Sequence, residues 1–506
     1  MYASPTYMRL KGQSLVYAVT MCCSIGFLLF GFDIGFMGGL TTSNEFLNTF
    51  NNPNSSLLGF LISAYEVGAL FGALAEFAVG DRYGRKPNNL FGIVIVTFGA
   101  IIQTTSFGIA QFLVGRALAG FGLGIASTVI PIWLAECTLP KSRGRMMAMQ
   151  LSNMLLGLII ATWLDYGVSF YSSSIQWRLP CAFQCVFAIT VLCLVPFLPE
   201  SPRYLAATGQ QDRASHVLAA LRGHPEVMFE LQEISYAIAV ESQEAGSLSD
   251  VFKDHGISGW QRVLIACTAN FFQQMSGVNN SVGLSSHNAL LVSGGLQVFY
   301  FLSSLIPWYV IDRVGRRRLF MLGSVGMGTC MLLSAIFVGI GTKSLGYAAI
   351  VVLYLFQMFF TLGWQSNMWI YPSELLPLKL RLRGGALSVV SQWLFTFVVV
   401  EITPVMINNI VYKSYIVFAL FNFVTIPVVY FFFPETAQRP LEMVDLLFAD
   451  RDGKRPSMLR VVRDSTKKKF VAEMGVALAQ RTKAREENER IVDEAKRAVE
   501  YLEKSV

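Results

Sequence analysis

The sequence predicts an all-α membrane protein with twelve transmembrane helices. Of its 506 residues, 53% are hydrophobic and only 14% are charged. The mean hydropathy is +0.49, and the apolar stretches are about 20 residues long, which is the helix length that crosses a hydrocarbon core. This composition excludes an ordinary soluble globular protein, which carries far more charge.

Twelve apolar stretches are predicted to span the membrane. They cover residues 17–40, 57–79, 88–109, 112–134, 147–168, 179–198, 261–282, 289–311, 319–341, 346–370, 385–408 and 414–433. The first stretch is too long for a cleavable signal and contains Asp33, so we expect it to remain in the mature protein.

The stretches divide the chain into two six-helix halves joined by a polar linker. The expected organisation is an N-terminal segment 1–16, a first half 17–198, a linker 199–260 with short amphipathic helices, a second half 261–433 and a tail 434–506. We also expect an exposed helix near the end of the tail, where Ile491, Val492, Ala495, Val499 and Leu502 recur at near-helical spacing.

The positions of Lys and Arg predict how the chain is oriented. Alternate loops carry nearly all of them, for example Arg82, Arg85 and Lys86 after the second stretch. The positive-inside rule places these loops, both termini and the linker in the cytoplasm. The net charge of +7 therefore indicates contact with lipid headgroups rather than nucleic acid. Asn54, in an Asn-Ser-Ser tripeptide of the first external loop, is a candidate glycan acceptor.

The residues expected of an enzyme or a metal site are missing from the sequence. The eight Cys fall in or beside apolar stretches without metal-ligand spacing, so we expect buried, unpaired thiols. The four His form no cluster, and no nucleophile elbow or phosphate-binding loop is present. We therefore expect neither enzymatic activity, nor a cofactor, nor a metal.

Three signatures occur twice, in the same order. They are Asp81–Lys86 and Asp312–Arg317, then Glu136 and Glu374, then Pro199–Ser201 and Pro434–Thr436. The two Asp residues are 312 − 81 = 231 positions apart, about half the chain, which predicts two homologous halves. Parallel repeats of this kind place a binding site at mid-membrane between the halves, with access alternating as the halves rock.

Glycines at four-residue spacing predict close helix packing. The series are Gly31, Gly35 and Gly39, then Gly68 and Gly72, then Gly120 and Gly124. Without side chains, such positions allow helix backbones to approach closely inside a bilayer.

The motifs together resemble one known family. They are D-R-Y-G-R-K, Gly115-Arg116, P-E-S-P-R, Q-Q-M-S-G-V-N, D-R-V-G-R-R and P-E-T. From about residue 16 to 447 the chain resembles the sugar porter family of the major facilitator superfamily, and Trp369–Arg381 is most similar to its fungal branch. The resemblance implies a plasma-membrane secondary transporter that alternates access to a sugar or polyol.

Asp33 is the candidate proton site, because a carboxylate inside the bilayer is costly and needs a reason. Ionised Asp33 would hold Arg116, and protonation would release it. The alternative is a static ion pair. The resemblance favours proton coupling, since proton-coupled members of the family have Asp in this G-F-D context.

Charged residues near the cytoplasmic helix ends are expected to form a gate. They are Asp81, Arg85, Glu136 and Arg145 in the first half, and Asp312, Arg316, Glu374 and Arg383 in the second. Networks of such residues can close the cytoplasmic side in one state and separate in the other. The alternative role is membrane topology and headgroup binding.

The candidate sugar site combines amides with an aromatic side chain. Amides both donate to and accept from sugar hydroxyls, and an aromatic face packs on the ring. The resemblance assigns these roles to Gln150, Gln273, Gln274, Asn279 and Trp369, although buried amides also serve as interhelical contacts. After Asn279 the sequence departs from the family, whose two outer-gate Tyr are absent here, and the seventh helix is expected to be short.

Two other functions remain open at this level. One is a facilitative carrier for a sugar or a quinate-type acid. The other is a nutrient sensor that keeps the transporter fold, which a longer tail with repeated partner motifs would favour.

Overall fold

The computed structural model of the chain is a bundle of long helices. It describes residues 10–40, 43–138, 140–223, 227, 230–231, 234–235, 259–277, 286–376, 381–437, 444, 447–448 and 456–467. No strand occurs among these residues, so the all-α prediction is confirmed for them.

The first half and the linker contain nine of the described helices. They are α1 (Gln13–Leu40), α2 (Asn44–Thr49), α3 (Ser55–Tyr83), α4 (Arg85–Thr104), α5 (Ile109–Cys137), α6 (Pro140–Val168), α7 (Ile175–Leu194), α8 (Pro202–Ala207) and α9 (Gln211–Arg222).

The second half and the tail contain the other described helices. They are α10 (Gly259–Met275), α11 (Ser286–Ser303), α12 (Pro307–Val314), α13 (Arg316–Ile340), α14 (Lys343–Phe360), α15 (Asn367–Leu375), α16 (Arg381–Ile410), α17 (Lys413–Phe432) and α18 (Met458–Thr466).

Eleven helical stretches among the described residues are long and apolar enough to cross a membrane. The predicted seventh span corresponds to α10, which has 17 residues and is therefore roughly 25 Å long. It ends at Met275 rather than at residue 282. Asn279 and the departure from the family that follows it lie outside the described residues.

Two spans contain breaks that the sequence analysis did not predict. The eighth is interrupted between α11 and α12, where Pro307 has no N–H to donate and the Ser304 hydroxyl bonds the Phe301 carbonyl at 2.6 Å. The tenth contains a π-helical turn, Thr361–Gln365, between α14 and α15. At this turn Gly363 crosses Gly323 of α13 without room for a side chain.

The helices pack mainly within each half. In the first half α1 packs on α6, and α3 and α4 pack on α5; in the second, α13 packs on α14 and α17. Contacts between the halves run along α3 with α16 and along α6 with α11. Among the described residues, a hydrogen bond joins Ser63 of α3 to Glu401 of α16 at 2.9 Å, and another joins Ser152 of α6 to Ser304, just after α11, at 3.2 Å.

The glycine series mark the closest helix contacts, as predicted. A Cβ at Gly31 would overlap the Met154 carbonyl of α6. Gly68 meets the Ala117 carbonyl of α5, and Gly120 meets the Tyr65 carbonyl of α3. These residues let backbones touch where lipid supplies no hydrophobic force between helices.

The linker and the tail pack under different halves. Leu218 and Leu221 of α9 join the apolar core of the first half. Val461 of α18 joins the core of the second half, and the Ser465 hydroxyl accepts the Glu435 N–H at 2.9 Å. The helix expected near residues 491–502 lies outside the described residues.

The eight cysteines are all unpaired, and five of them are buried. The expectation of burial is wrong for Cys193, which is exposed on α7. A position inside an apolar span can face lipid as well as the bundle interior, and the sequence does not distinguish the two.

We expect Gly120→Val to destabilise the protein, because the new side chain would overlap the backbone of α3. Forcing extra atoms into a packed interior costs about 1–3 kcal/mol. Thermal unfolding of the detergent-solubilised protein should show a lower midpoint. Gly346→Val is the control, since nothing lies within 4 Å of a Cβ at Gly346; equal losses in both variants would contradict the packing role.

Candidate functional site

A buried cluster of charged and polar groups lies inside the first half. Asp33 of α1 is 0% exposed and Arg116 of α5 is 1% exposed. Tyr65 of α3 lies between them: its hydroxyl donates to Asp33 Oδ2 at 3.1 Å, and its ring centroid is 4.4 Å from the Arg116 guanidinium carbon. Such a cation-on-ring contact is favourable where water is excluded.

Asp33 and Arg116 are therefore linked through Tyr65. Asp33 Oδ1 and Arg116 Nε and Nη1 have no hydrogen-bond partner among the described residues. Arg116 Nη2 donates to the Ile62 carbonyl of α3 at 3.3 Å. The structure thus brings the two sequence-predicted residues to one place, and it adds Tyr65, which no sequence pattern singled out.

Glu66 is a second acid at this place. It is 6% exposed, and its Oε2 has no hydrogen-bond partner among the described residues. Sequence reasoning missed it, although the argument applied to Asp33, that a charge inside a span needs a reason, applies to Glu66 equally.

Aromatic side chains connect this cluster with the second half. Trp369 of α15 meets Phe27 of α1 edge-on, with ring centroids 6.2 Å apart. Trp393 of α16 lies 5.5 Å from Phe30 and 6.4 Å from Tyr65, centroid to centroid. Trp393, which the sequence analysis did not single out, therefore contacts the residue that links Asp33 to Arg116.

Three of the candidate sugar-binding amides, Gln150, Gln273 and Gln274, are buried. Gln274 Nε2 donates to Gln273 Oε1 at 2.7 Å in α10. Gln150 Nε2 of α6 has no hydrogen-bond partner among the described residues, and the same holds for Trp393 Nε1 and for Asn367 Oδ1 of α15. Buried polar atoms are normally satisfied, so these are donors and an acceptor suited to a ligand with hydroxyl groups.

A network of charged residues joins the start of α4 to the end of α5 and to the segment that follows α7. Arg85 Nε contacts Glu136 Oε2 of α5 at 3.2 Å. Glu200 accepts the backbone N–H of Arg85 at 3.1 Å, of Lys86 at 3.2 Å and of Ser201 at 2.8 Å. Burial raises the pKa of Glu200 above its usual range, while these N–H groups and the Arg85 charge act to lower it.

The second half repeats this network at the start of α13. Arg316 Nη2 contacts Glu374 Oε1 at 2.9 Å. Glu435 accepts the backbone N–H of Arg316 at 2.9 Å and of Arg317 at 3.2 Å. The Thr436 hydroxyl donates to Glu374 Oε2 at 2.7 Å. A carboxylate at a helix N-terminus accepts from the free N–H groups and interacts favourably with the positive end of the helix dipole.

A glycine precedes each of the two helices. Gly84 has φ +97° and Gly315 has φ +95°, a region that side chains disfavour. A Cβ at Gly84 would crowd Glu200, and one at Gly315 would crowd Glu435. Glycine therefore allows the carboxylate to approach the start of the helix.

The described ion pairs of the expected gate each lie within one half. Sequence analysis grouped Arg85 with Glu136 and Arg316 with Glu374, and each pair is in contact. It missed the parts that Glu200 and Glu435 play, although both stand in the repeated signatures. The side chains of the other four expected gate residues lie outside the description, namely Asp81, Arg145, Asp312 and Arg383.

Comparisons with known proteins agree on one family. The family model for "Sugar (and other) transporter" matches residues 19–448. The chain is 34% identical over 481 residues to the sugar transporter STL1 of Saccharomyces cerevisiae, covering 89% of this chain and 84% of that protein. It is 29% identical over 472 residues to high-affinity glucose transporter 1 of Candida albicans, covering 86% of each.

A solved structure shares the fold. The proton:xylose symporter XylE, bound to 6-bromo-6-deoxy-D-glucose, matches with a TM-score of 0.75 and 23% identity, over 86% of this chain and 99% of that one.

We expect Glu200→Ala and Glu435→Ala to destabilise the protein to similar extents. Each removes a carboxylate that accepts several backbone N–H groups, and a hydrogen bond to a charged group contributes about 1.5–3 kcal/mol. Thermal unfolding measures the loss. Asp212→Ala, at an exposed position of α9, is the control, and a loss in only one half would argue against equivalent networks.

Proposed function

Because the chain belongs to the sugar porter family of the major facilitator superfamily, we propose that it carries a sugar or polyol across the plasma membrane by proton symport. The observation that carries the proton coupling is the buried Asp33, held by Tyr65 beside Arg116. The name of XylE as a proton:xylose symporter and the names of the curated relatives support the sugar and the proton.

In this proposal the proton binds Asp33. Ionised Asp33 accepts the Tyr65 hydrogen bond and balances the charge of Arg116. Protonation removes the negative charge, so both interactions weaken and the conformation that they favour becomes less stable. Tyr65 also contacts Trp393 of the second half. Through this contact, protonation of Asp33 affects the packing of the two halves.

The sugar is proposed to bind between the halves. Trp369 offers an aromatic face, and Gln150, Gln273, Gln274 and Asn279 offer amides to the hydroxyl groups. We add Trp393, whose buried indole N–H has no partner among the described residues. An unpaired N–H donor in this position is satisfied when a hydroxyl oxygen accepts from it.

The networks of Glu200 and Glu435 are proposed to belong to the cytoplasmic gate. By the positive-inside rule, the Arg-rich ends of α3 and α12 face the cytoplasm, and so do both termini. The networks keep the starts of α4 and α13 fixed within each half, so that closing brings two rigid ends together.

The first test is uptake of a radiolabelled sugar and polyol panel in cells that lack their own sugar carriers. We expect at least one substrate to be taken up, and a protonophore to abolish its accumulation. Uptake that a protonophore leaves unchanged would indicate a facilitator. Uptake of quinate alone would indicate an acid carrier, and binding without uptake would indicate a sensor.

The second test is Asp33→Asn. The amide keeps the size of the side chain but cannot exchange a proton, so we expect accumulation to be lost while exchange of internal for external sugar persists. Asp165→Asn, at a buried acid of α6 that the proposal does not use, is the control for burial. Accumulation retained by Asp33→Asn would overturn the assignment.

A further inference from the structure

Two acids share one guanidinium in the core of the first half. Arg116 interacts electrostatically with both Asp33 and Glu66. Its Nη2 bonds the Ile62 carbonyl, which lies four residues before Glu66 and hence one helical turn away. The guanidinium therefore lies against the turn of α3 that carries Glu66, with the Tyr65 ring beside it.

The count of charges restricts how these groups ionise. With both acids ionised, the group of Asp33, Glu66 and Arg116 carries a net charge of −1. A net charge is strongly disfavoured in a buried site, and two carboxylates that share a site do not readily ionise together. The neutral arrangement has one ionised acid, one protonated acid and charged Arg116, so the proton belongs to the pair of acids.

Glu66 also lies near the contact between the halves. Ser63 of α3 bonds Glu401 of α16, and a Cβ at Gly59 would lie 3.5 Å from Glu401 Oε2. Residues 59, 63 and 66 fall on one face of the helix. The contact of α16 with Ser63 therefore lies about one turn of α3 from Glu66, while Tyr65, which bonds Asp33, contacts Trp393 of α16.

We propose that Glu66 is a positioning residue of the proton site, which competes with Asp33 for Arg116 and so sets the pH at which Asp33 exchanges its proton. This inference rests on the proposed proton symport. Among the described residues, the titratable and charged groups that interact with the pair are Tyr65 of α3, Arg116 of α5, and Cys181 and Cys185 of α7. Glu401 of α16 bonds Ser63, about one turn of α3 from Glu66.

The test uses the full chain in liposomes with an imposed proton gradient and a sugar that the wild type transports. The pH of half-maximal accumulation is measured, together with exchange of labelled sugar without a gradient. In Glu66→Gln, Arg116 has only Asp33 as its acidic partner and stabilises its ionised form more strongly. A lower pH is therefore needed to protonate Asp33. We expect the midpoint to move toward acid by about one pH unit or more, with exchange retained.

Two further variants separate positioning from structure. Glu66→Asp keeps a carboxylate, so its pH of half-maximal accumulation should stay close to that of the wild type. Glu76→Gln makes the same substitution ten residues along α3, where the side chain accepts from Asn88, and should leave the midpoint unchanged even if the rate falls. If Glu66→Gln is not recovered in folded form, Glu66→Met is uncharged and of similar length.

The outcomes are distinguishable. An unchanged midpoint in the uncharged Glu66 variants overturns this inference, while proton-driven uptake by the wild type leaves the proposed function standing. Equal shifts in Glu66→Gln and Glu76→Gln would overturn the inference as well, because they would reflect general disturbance of α3. Absence of proton-driven uptake in the wild type overturns both proposals.

Discussion

The contact between α3 and α5 is the constraint on which the candidate proton site depends. Gly68 and Gly120 let the two backbones touch at the Ala117 and Tyr65 carbonyls. These contacts stand directly beside Arg116 and Tyr65, so they fix the distance at which the guanidinium meets the ring. Charge inside a bilayer is tolerated when it faces partners in the bundle interior, and here glycine packing brings those partners close.

The two halves satisfy the free N–H groups at the starts of α4 and α13 in the same way. The helices α4 and α13 both begin with N–H groups that have no partner within the helix, and a carboxylate three spans later in each half accepts them. The matching extends further: Trp133 donates to the Pro199 carbonyl at 3.2 Å, and Tyr371 donates to the Pro434 carbonyl at 3.0 Å. An indole and a phenol thus make equivalent bonds from equivalent helices.

The halves differ in what packs beneath them. In the first, Arg222 at the end of α9 donates to the Cys137 carbonyl at the end of α5 at 3.3 Å. In the second, Ser465 of α18 bonds the N–H of Glu435, the acid that holds the start of α13. The linker therefore contacts the network of Glu136 and Arg85 through Cys137, and the tail contacts the network of Glu435. Both networks belong to the proposed gate.

The fold class, the approximate positions of the spans, the repeat and the close glycine contacts follow from the sequence, although the seventh span ends at Met275 rather than at residue 282. Hydrophobic length, motif order and small-residue spacing are local properties, and they can be read along the chain. The sequence analysis also grouped Asp33 with Arg116, Arg85 with Glu136 and Arg316 with Glu374, because charged residues within or beside an apolar span are easily recognised.

Which side chains meet across helices is evident only from the packed bundle. The contacts of Tyr65 with Asp33, with Arg116 and with Trp393 join helices far apart in the chain, and no spacing encodes them. The same is true of the electrostatic interaction between Glu66 and Arg116. The π-helical turn at Thr361–Gln365 likewise lies where Gly363 meets Gly323 of another helix. The physical reason is that interhelical contacts depend on helix rotation and depth, which the combined packing of the bundle sets rather than the periodicity of one segment.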